Sequence, residues 1–266
     1  MTPDLVRLDF STDEGFGGRA RVGLVVLEND QTVEAELASL WPDGVTAYVT
    51  RIPMEDQVTP ETLMAMEDRI PEAAGLLPAA FGFDVIGYGC TSAATLIGED
   101  GVDAAIRRAH PEVPNTNPIT AAVAAMGVLG AIRIAVVTPY NAKVTAGIVG
   151  HLSRKGLDVA AVGSFLEESD SVVARITEDS VADGVRRAVR SVDAGVDEAV
   201  GLDAVFVSCT SLRMFGIVES LEADLGVPVL SSNLAFGWHL LRLAGIDDVV
   251  TGLGRLFTLG LGVDPR

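Results

Sequence analysis

Basic residues are scarce in this chain: 19 Lys and Arg stand against 37 Asp and Glu, a formal charge of −18. Such a surplus repels nucleic acid and anionic membrane surfaces, so both are excluded as partners, and its ordinary meaning is a solvated surface. Long apolar runs are lacking too. None approaches the roughly 18 residues that span a bilayer, and Met1-Thr2-Pro3-Asp4 opens without the basic and apolar regions of a secretion signal. The expected setting is the cytoplasm, where thiols stay reduced. A Gly-rich phosphate loop is missing, because Gly15-Phe16-Gly17-Gly18 precedes the first apolar run instead of following it. No Gly-x-Ser-x-Gly elbow or His-Glu-x-x-His run occurs. His110, His151 and His239 lack ligand spacing, and neither cysteine has a Cys-x-x-Cys or Cys-x-x-His partner. A nucleotide cofactor, a metal and a serine triad all lose ground, leaving no expected cofactor.

What is present is a β-α alternation. The 266 residues, 48% hydrophobic, suffice for one large domain or two small ones. Apolar runs of strand length fall at Val22 to Leu27, Val45 to Arg51, Asp84 to Tyr88 and Val113 to Asn115. A second series follows about 110 residues later, at Ile132 to Val137, Leu157 to Val162, Asp203 to Val207 and Val227 to Leu230. Runs apolar on both faces, separated by helical stretches, predict an α/β fold of two pseudo-symmetric parallel-sheet lobes with a cleft between them. The expected division is a tail or flap over residues 1–21, a first lobe over 22–118 and a second over 119–266, with the chain crossing back at its C-terminus. Thr59-Pro60-Glu61-Thr62 reads as a helix start, with Leu63, Met66 and Ile70 inward and a stop near Pro71. Glu178 through Ala199 reads as a long amphipathic helix with Val181, Val185, Val189 and Val192 on one face.

The only two cysteines, Cys90 and Cys209, each follow a predicted buried strand and each open the tripeptide Cys-Thr-Ser. Open α/β sheets bind ligands at the carboxyl ends of strands. A lone free Cys is ordinarily a small buried hydrophobe; two in matching settings point to one shared site. A helix N-terminus after each would lower the thiol pKa. Thr91, Ser92, Thr210 and Ser211 would supply hydroxyls and capping oxygens there, and the turn amides would hold a carboxylate. A disulfide is disfavoured in a cytoplasmic chain. Under the pseudo-symmetry the loops after the first strand of each half overhang the cleft, so Asn29 and Tyr140 can donate to a carboxylate or a developing enolate, or simply form turns. The polar side chains of Pro114 to Pro118 and Pro228 to Asn233 read first as helix caps and, alternatively, as completing the site; His239 reads as a packing histidine in an apolar helix.

Gly87-Tyr88-Gly89-Cys90-Thr91-Ser92, Val207-Ser208-Cys209-Thr210-Ser211, Val136-Val137-Thr138-Pro139-Tyr140 and the stretch Asn233 to Ile246 resemble the aspartate/glutamate racemase superfamily, most closely its maleate cis-trans isomerase branch. The resemblance runs from Val22 to about Gly260. It implies a cofactor-independent isomerase of a small carboxylate: Cys90 as nucleophile adding to a double bond, Cys209 as proton donor and acceptor, and Asn29 and Tyr140 holding carboxylates. It also implies a homodimer. Thr-Ser after both cysteines departs from the Asn-Thr and Thr-His of amino-acid racemases. Two cysteines depart from arylmalonate decarboxylases, which keep only the second, so a decarboxylase-like lyase stands as an alternative behind isomerisation. Ser164 stands where the isomerases carry Asn. Ectoine-utilisation proteins share the segments Gly87 to Ser92 and Leu96 to Glu99, which implies racemisation or epimerisation of an acylated diamino acid as an alternative, with two thiols on opposite faces of an α-carbon. A small-carboxylate binding protein that lost turnover is the rival from outside enzymology.

Overall fold

The computed structural model describes residue 3, residues 5–192 and residues 201–262. Its eight strands are β1 (Ala20–Leu27), β2 (Val45–Ile52), β3 (Val85–Gly89), β4 (Asn115–Thr116), β5 (Arg133–Thr138), β6 (Asp158–Ser164), β7 (Ala204–Val207) and β8 (Val229–Ser231). They form two parallel four-stranded sheets, ordered β2-β1-β3-β4 and β6-β5-β7-β8, so the halves repeat one topology. The α/β expectation of paired sheets therefore holds. β3 and β7 are buried along their whole length, as strands covered on both faces must be.

The helices are α1 (Val33–Ala38), α2 (Pro60–Met64), α3 (Ile70–Gly75), α4 (Thr91–Ile97), α5 (Glu99–Arg107) and α6 (Pro118–Leu129), then α7 (Ala142–Arg154), α8 (Asp170–Val173), α9 (Glu178–Arg190), α10 (Val218–Leu225) and α11 (Ser232–Leu243). Thr59 caps α2 with reciprocal bonds to Thr62, as its position before Pro60 suggests. Pro71 corrects the expected stop. It lies inside the first turn of α3, where a missing N–H costs no helical bond. The long amphipathic helix ends at Arg190 with Ser191 as its cap; its expected continuation over residues 193–199 lies outside the described residues.

α11 follows β8 in the chain but packs against α6, β3, β4 and α1 as well as β8. Gly87 and Gly237 permit this approach. A Cβ on Gly87 would collide with the Phe236 ring, and one on Gly237 with Leu40. The far side of α11 anchors the C-terminal segment: buried Arg242 donates to the carbonyls of Leu259, Ile246 and Phe257, and Trp238 Nε1 donates to Leu259 O at 2.8 Å. Ahead of β1, residues 5–16 are exposed, while Arg19 pairs with Asp248. Among the described residues no helix is long and apolar enough to cross a membrane.

Candidate active site

Both cysteines stand at strand ends, buried and as free thiols. Cys90 follows β3 and is the N-cap of α4; its Sγ accepts from Ala93 N at 3.4 Å and lies 3.7 Å from Ser92 Oγ. Cys209 differs from expectation. No helix begins after it, because Thr210 and Ser211 turn the chain and α10 starts only at Val218. Its φ of 139°, outside the range ordinary residues favour, folds the turn back so that Ser211 N donates to Cys209 Sγ at 3.3 Å.

One hydroxyl joins the two turns. Ser232, at the start of α11, pairs with Thr91 Oγ1 at 2.7 Å and accepts from Cys209 N at 3.0 Å. Thr91 is therefore engaged within the protein. Tyr140, in the loop after β5, is buried, and its phenol interacts with Cys209, Cys90 and Ser92. Tyr140 therefore lies in the neighbourhood of both thiols. Ser164 Oγ donates to Tyr140 O at 2.5 Å, fixing that loop from behind. Asn29 is half-buried and makes no side-chain hydrogen bond among the described residues. Its neighbour Asp30 is the residue that turns inward. Ser231 and Asn117 cap α11 and α6, as their positions suggest, and His239 bonds Thr116 while stacking on Trp238.

The expected lowering of the thiol pKa is overturned. Burial pushes Cys90 up to about 11, with the charges of Asp170 and Asp30 adding to it and the Ala93 amide and Ser92 opposing. Cys209 is raised further by burial and Asp170, against bonds from Tyr140 and Ser211 N. Tyr140 is raised well above the ordinary phenol value by burial and by both thiols. A short helix end cannot outweigh removal of the thiol from water. Met54, Thr62, Leu63 and Met66 line a small pocket of about 10 Å³ whose wall includes Cys90. The loop carrying Met54 is clasped to the opposite half, where Asp170 N donates to Asp56 O and Ser169 Oγ to Asp56 Oδ2.

A family model described as arylmalonate decarboxylase matches residues 22–257, a span containing both thiol turns and Tyr140. The chain belongs to that family. Within it, the chain is 31% identical to a maleate isomerase of Nocardia farcinica, over 90% of this chain and 96% of the relative. It is 28% identical to an arylmalonate decarboxylase of Bordetella bronchiseptica, over 89% and 95%. A solved Nocardia farcinica maleate cis-trans isomerase, a cysteine-to-serine mutant with a covalently bound succinylcysteine intermediate, superposes with a TM-score of 0.81 at 26% identity, covering 90% of this chain and 98% of that one.

Against this arylmalonate decarboxylase family background, four residues of the site were not singled out in the sequence. Ser232 is one. Glu36 on α1 is another: it accepts from Met214 N at 2.6 Å, Phe215 N at 2.9 Å and Asn233 Nδ2 at 2.7 Å, and Asn233 also donates to Thr210 O. Burial raises the Glu36 carboxyl, and these three donors hold the loop after Cys209 to the first half. Asp30 Oδ1 accepts from Thr32 N and Val33 N, both at 2.8 Å. Asp170 Oδ1 accepts from Ser211 Oγ at 2.8 Å. Burial raises Asp170 to about 6 despite that bond, with Asp30 and Asp56 adding like charge. The only local signal was an Asp beside each loop already under suspicion.

Proposed function

We propose that this chain is a cofactor-independent isomerase of a small carboxylate that works with two thiols, in the manner of a maleate cis-trans isomerase. The observation that carries the reading is a pair of buried free thiols at equivalent strand ends, one from each sheet, whose turns are joined by Ser232 through Thr91 Oγ1 and Cys209 N. Of the two thiols, Cys90 ionises more readily, which suits it to be the nucleophile and Cys209 the proton carrier. The Cys90 thiolate adds to one carbon of the double bond while Cys209 gives its proton to the other. After rotation about the new single bond, the Cys209 thiolate takes the other hydrogen of that carbon as a proton and the sulfur–carbon bond of Cys90 breaks. Ionising Cys90 at pH 7 costs about 5 kcal/mol at about 1.4 kcal/mol per pH unit, so binding must assist it. Tyr140 and the turn amides are the donors for charge developing on the carboxylate, with Asn29 at the rim. This reading takes the working form to be a cytoplasmic homodimer, on family resemblance.

A second reading is favoured by Asp30 and Asp170, two buried carboxylates beside the thiols: racemisation or epimerisation at the α-carbon of an acylated diamino acid, one thiol removing the proton and the other returning one. Proton NMR in D₂O separates the two. Conversion of maleate vinyl signals supports cis-trans isomerisation; α-deuteration of N-acetylated 2,4-diaminobutyrate supports the second. Cys90→Ser and Cys209→Ser should each abolish turnover with binding retained. Wild-type protein that binds both compounds and changes neither would overturn the enzyme reading in favour of a binding protein.

A further inference from the structure

Apart from His151 Nε2, the buried side-chain polar atoms without a hydrogen-bond partner among the described residues gather around the thiol turns: Asp30 Oδ2, Asp170 Oδ2, Tyr88 Oη, Ser208 Oγ and Asn233 Oδ1. The two carboxylates stand out. Asp30 is 3% exposed and Asp170 4%, and each spends one oxygen on a structural bond and leaves the other unpaired. They come from opposite halves of the chain, yet Ser211 ties them together: its carbonyl accepts from Thr32 Oγ1 at 3.0 Å in the Asp30 turn, its hydroxyl donates to Asp170 Oδ1 and its amide donates to Cys209 Sγ, and the charge of each aspartate acts on both thiols. These four groups therefore share one neighbourhood. Among the described residues, no basic side chain is among the strongest influences on the thiols, on Tyr140 or on Asp170. The cation closest in bonding, Arg51, reaches only the Asp30 carbonyl and is paired with Glu34. Asp56, on the far side of Asp170, adds negative charge.

We infer that Asp30 and Asp170 form a subsite for a cationic nitrogen beside the thiols, so that the substrate is a small carboxylate bearing a protonated amine. This rests on the two-thiol reading above and narrows its substrate class. A buried carboxylate left half unpaired is costly unless something pairs with it. An ammonium group carries three N–H donors and one positive charge, enough to satisfy both free oxygens. It also offsets the negative field that holds the thiols protonated. A plain dicarboxylate brings two more negative charges and no donor. A purely structural role for either aspartate is already met by its bonded oxygen and leaves the second one unexplained.

The test is calorimetric binding to the full chain of matched pairs that differ by one ammonium: succinate against aspartate, glutarate against glutamate, and butyrate against 4-aminobutyrate. The amine-bearing member should bind at least tenfold more tightly in at least one pair. Asp170→Asn keeps the oxygen that Ser211 bonds and removes the charge; it should cut that preference about tenfold and leave the plain partner unchanged or tighter. Asp30→Asn should act the same way, and if it does not fold, Asp170→Asn decides alone. Absence of an amine preference in every pair, or a preference that survives Asp170→Asn, overturns the inference. Binding and turnover fail separately. Amine preference without any isomerisation removes the enzyme reading and keeps the subsite, whereas maleate turnover without amine preference does the reverse.

Discussion

Replacing Asp170 with Asn should change how the stability of this protein depends on pH. In the folded chain burial lifts this carboxyl from 3.8 to about 6. A raised acid stabilises the fold fully below its unfolded pKa, and that stability is lost as pH rises through the folded value. At about 1.4 kcal/mol per pH unit the whole loss comes to about 3 kcal/mol, of which about 2 kcal/mol falls between pH 4.5 and 7.5. Asn keeps the acceptor for Ser211 Oγ and cannot ionise. Denaturant unfolding of both proteins at the two pH values isolates the effect, because every other titrating group is shared. The variant should gain about 2 kcal/mol on wild type in going from pH 4.5 to 7.5. An unchanged difference would refute the assignment of a strained, buried charge to this position.

Ser232→Ala leaves the Thr91 hydroxyl and the Cys209 amide without their shared partner, so unfolding free energy should fall by about 1–3 kcal/mol; a loss below about half a kcal/mol would show that water takes over. Gly87→Ala drives a methyl into Phe236 and to 3.0 Å from Leu240, and should cost about 1–3 kcal/mol by overpacking, read as a lowered melting temperature. Alkylation of Cys90 by iodoacetamide in a Cys209→Ser background should keep rising about tenfold per pH unit up to about pH 11. A plateau near pH 9 would mean an unperturbed thiol.

The strands were legible because a run apolar on both faces and bounded by turn residues has few other places to go, and all eight lie within two residues of their expected limits. β4 is shifted to Asn115–Thr116, since only two of its residues pair with β3 and so short a ladder leaves no periodic trace. The pairing of Cys90 with Cys209 was readable from repeated context. The turn after Cys209 was not, because Thr-Ser suits a helix cap and a tight turn equally, and the strained φ is imposed by bonds to Ser232 and Asn233 made across the chain. Neither aspartate stood out in the sequence: Asp30 lies in the loop after β1, and Asp170 follows Glu167-Glu168-Ser169. What makes them part of the site is loss of water, which depends on contacts between residues some 140 positions apart.

The packing of α11 onto β3, β4, α1 and α6 has a consequence for biosynthesis. The first sheet is translated early, but one of its covering layers is encoded at residues 232–243. Until the ribosome has passed that point, the apolar surface beneath Phe236 and Leu240 stays uncovered, open to chaperones or to other nascent chains. A fragment ending before β8 should for the same reason be sticky rather than half-active, and complementation from two separately expressed halves should succeed only when the break is placed beyond α11.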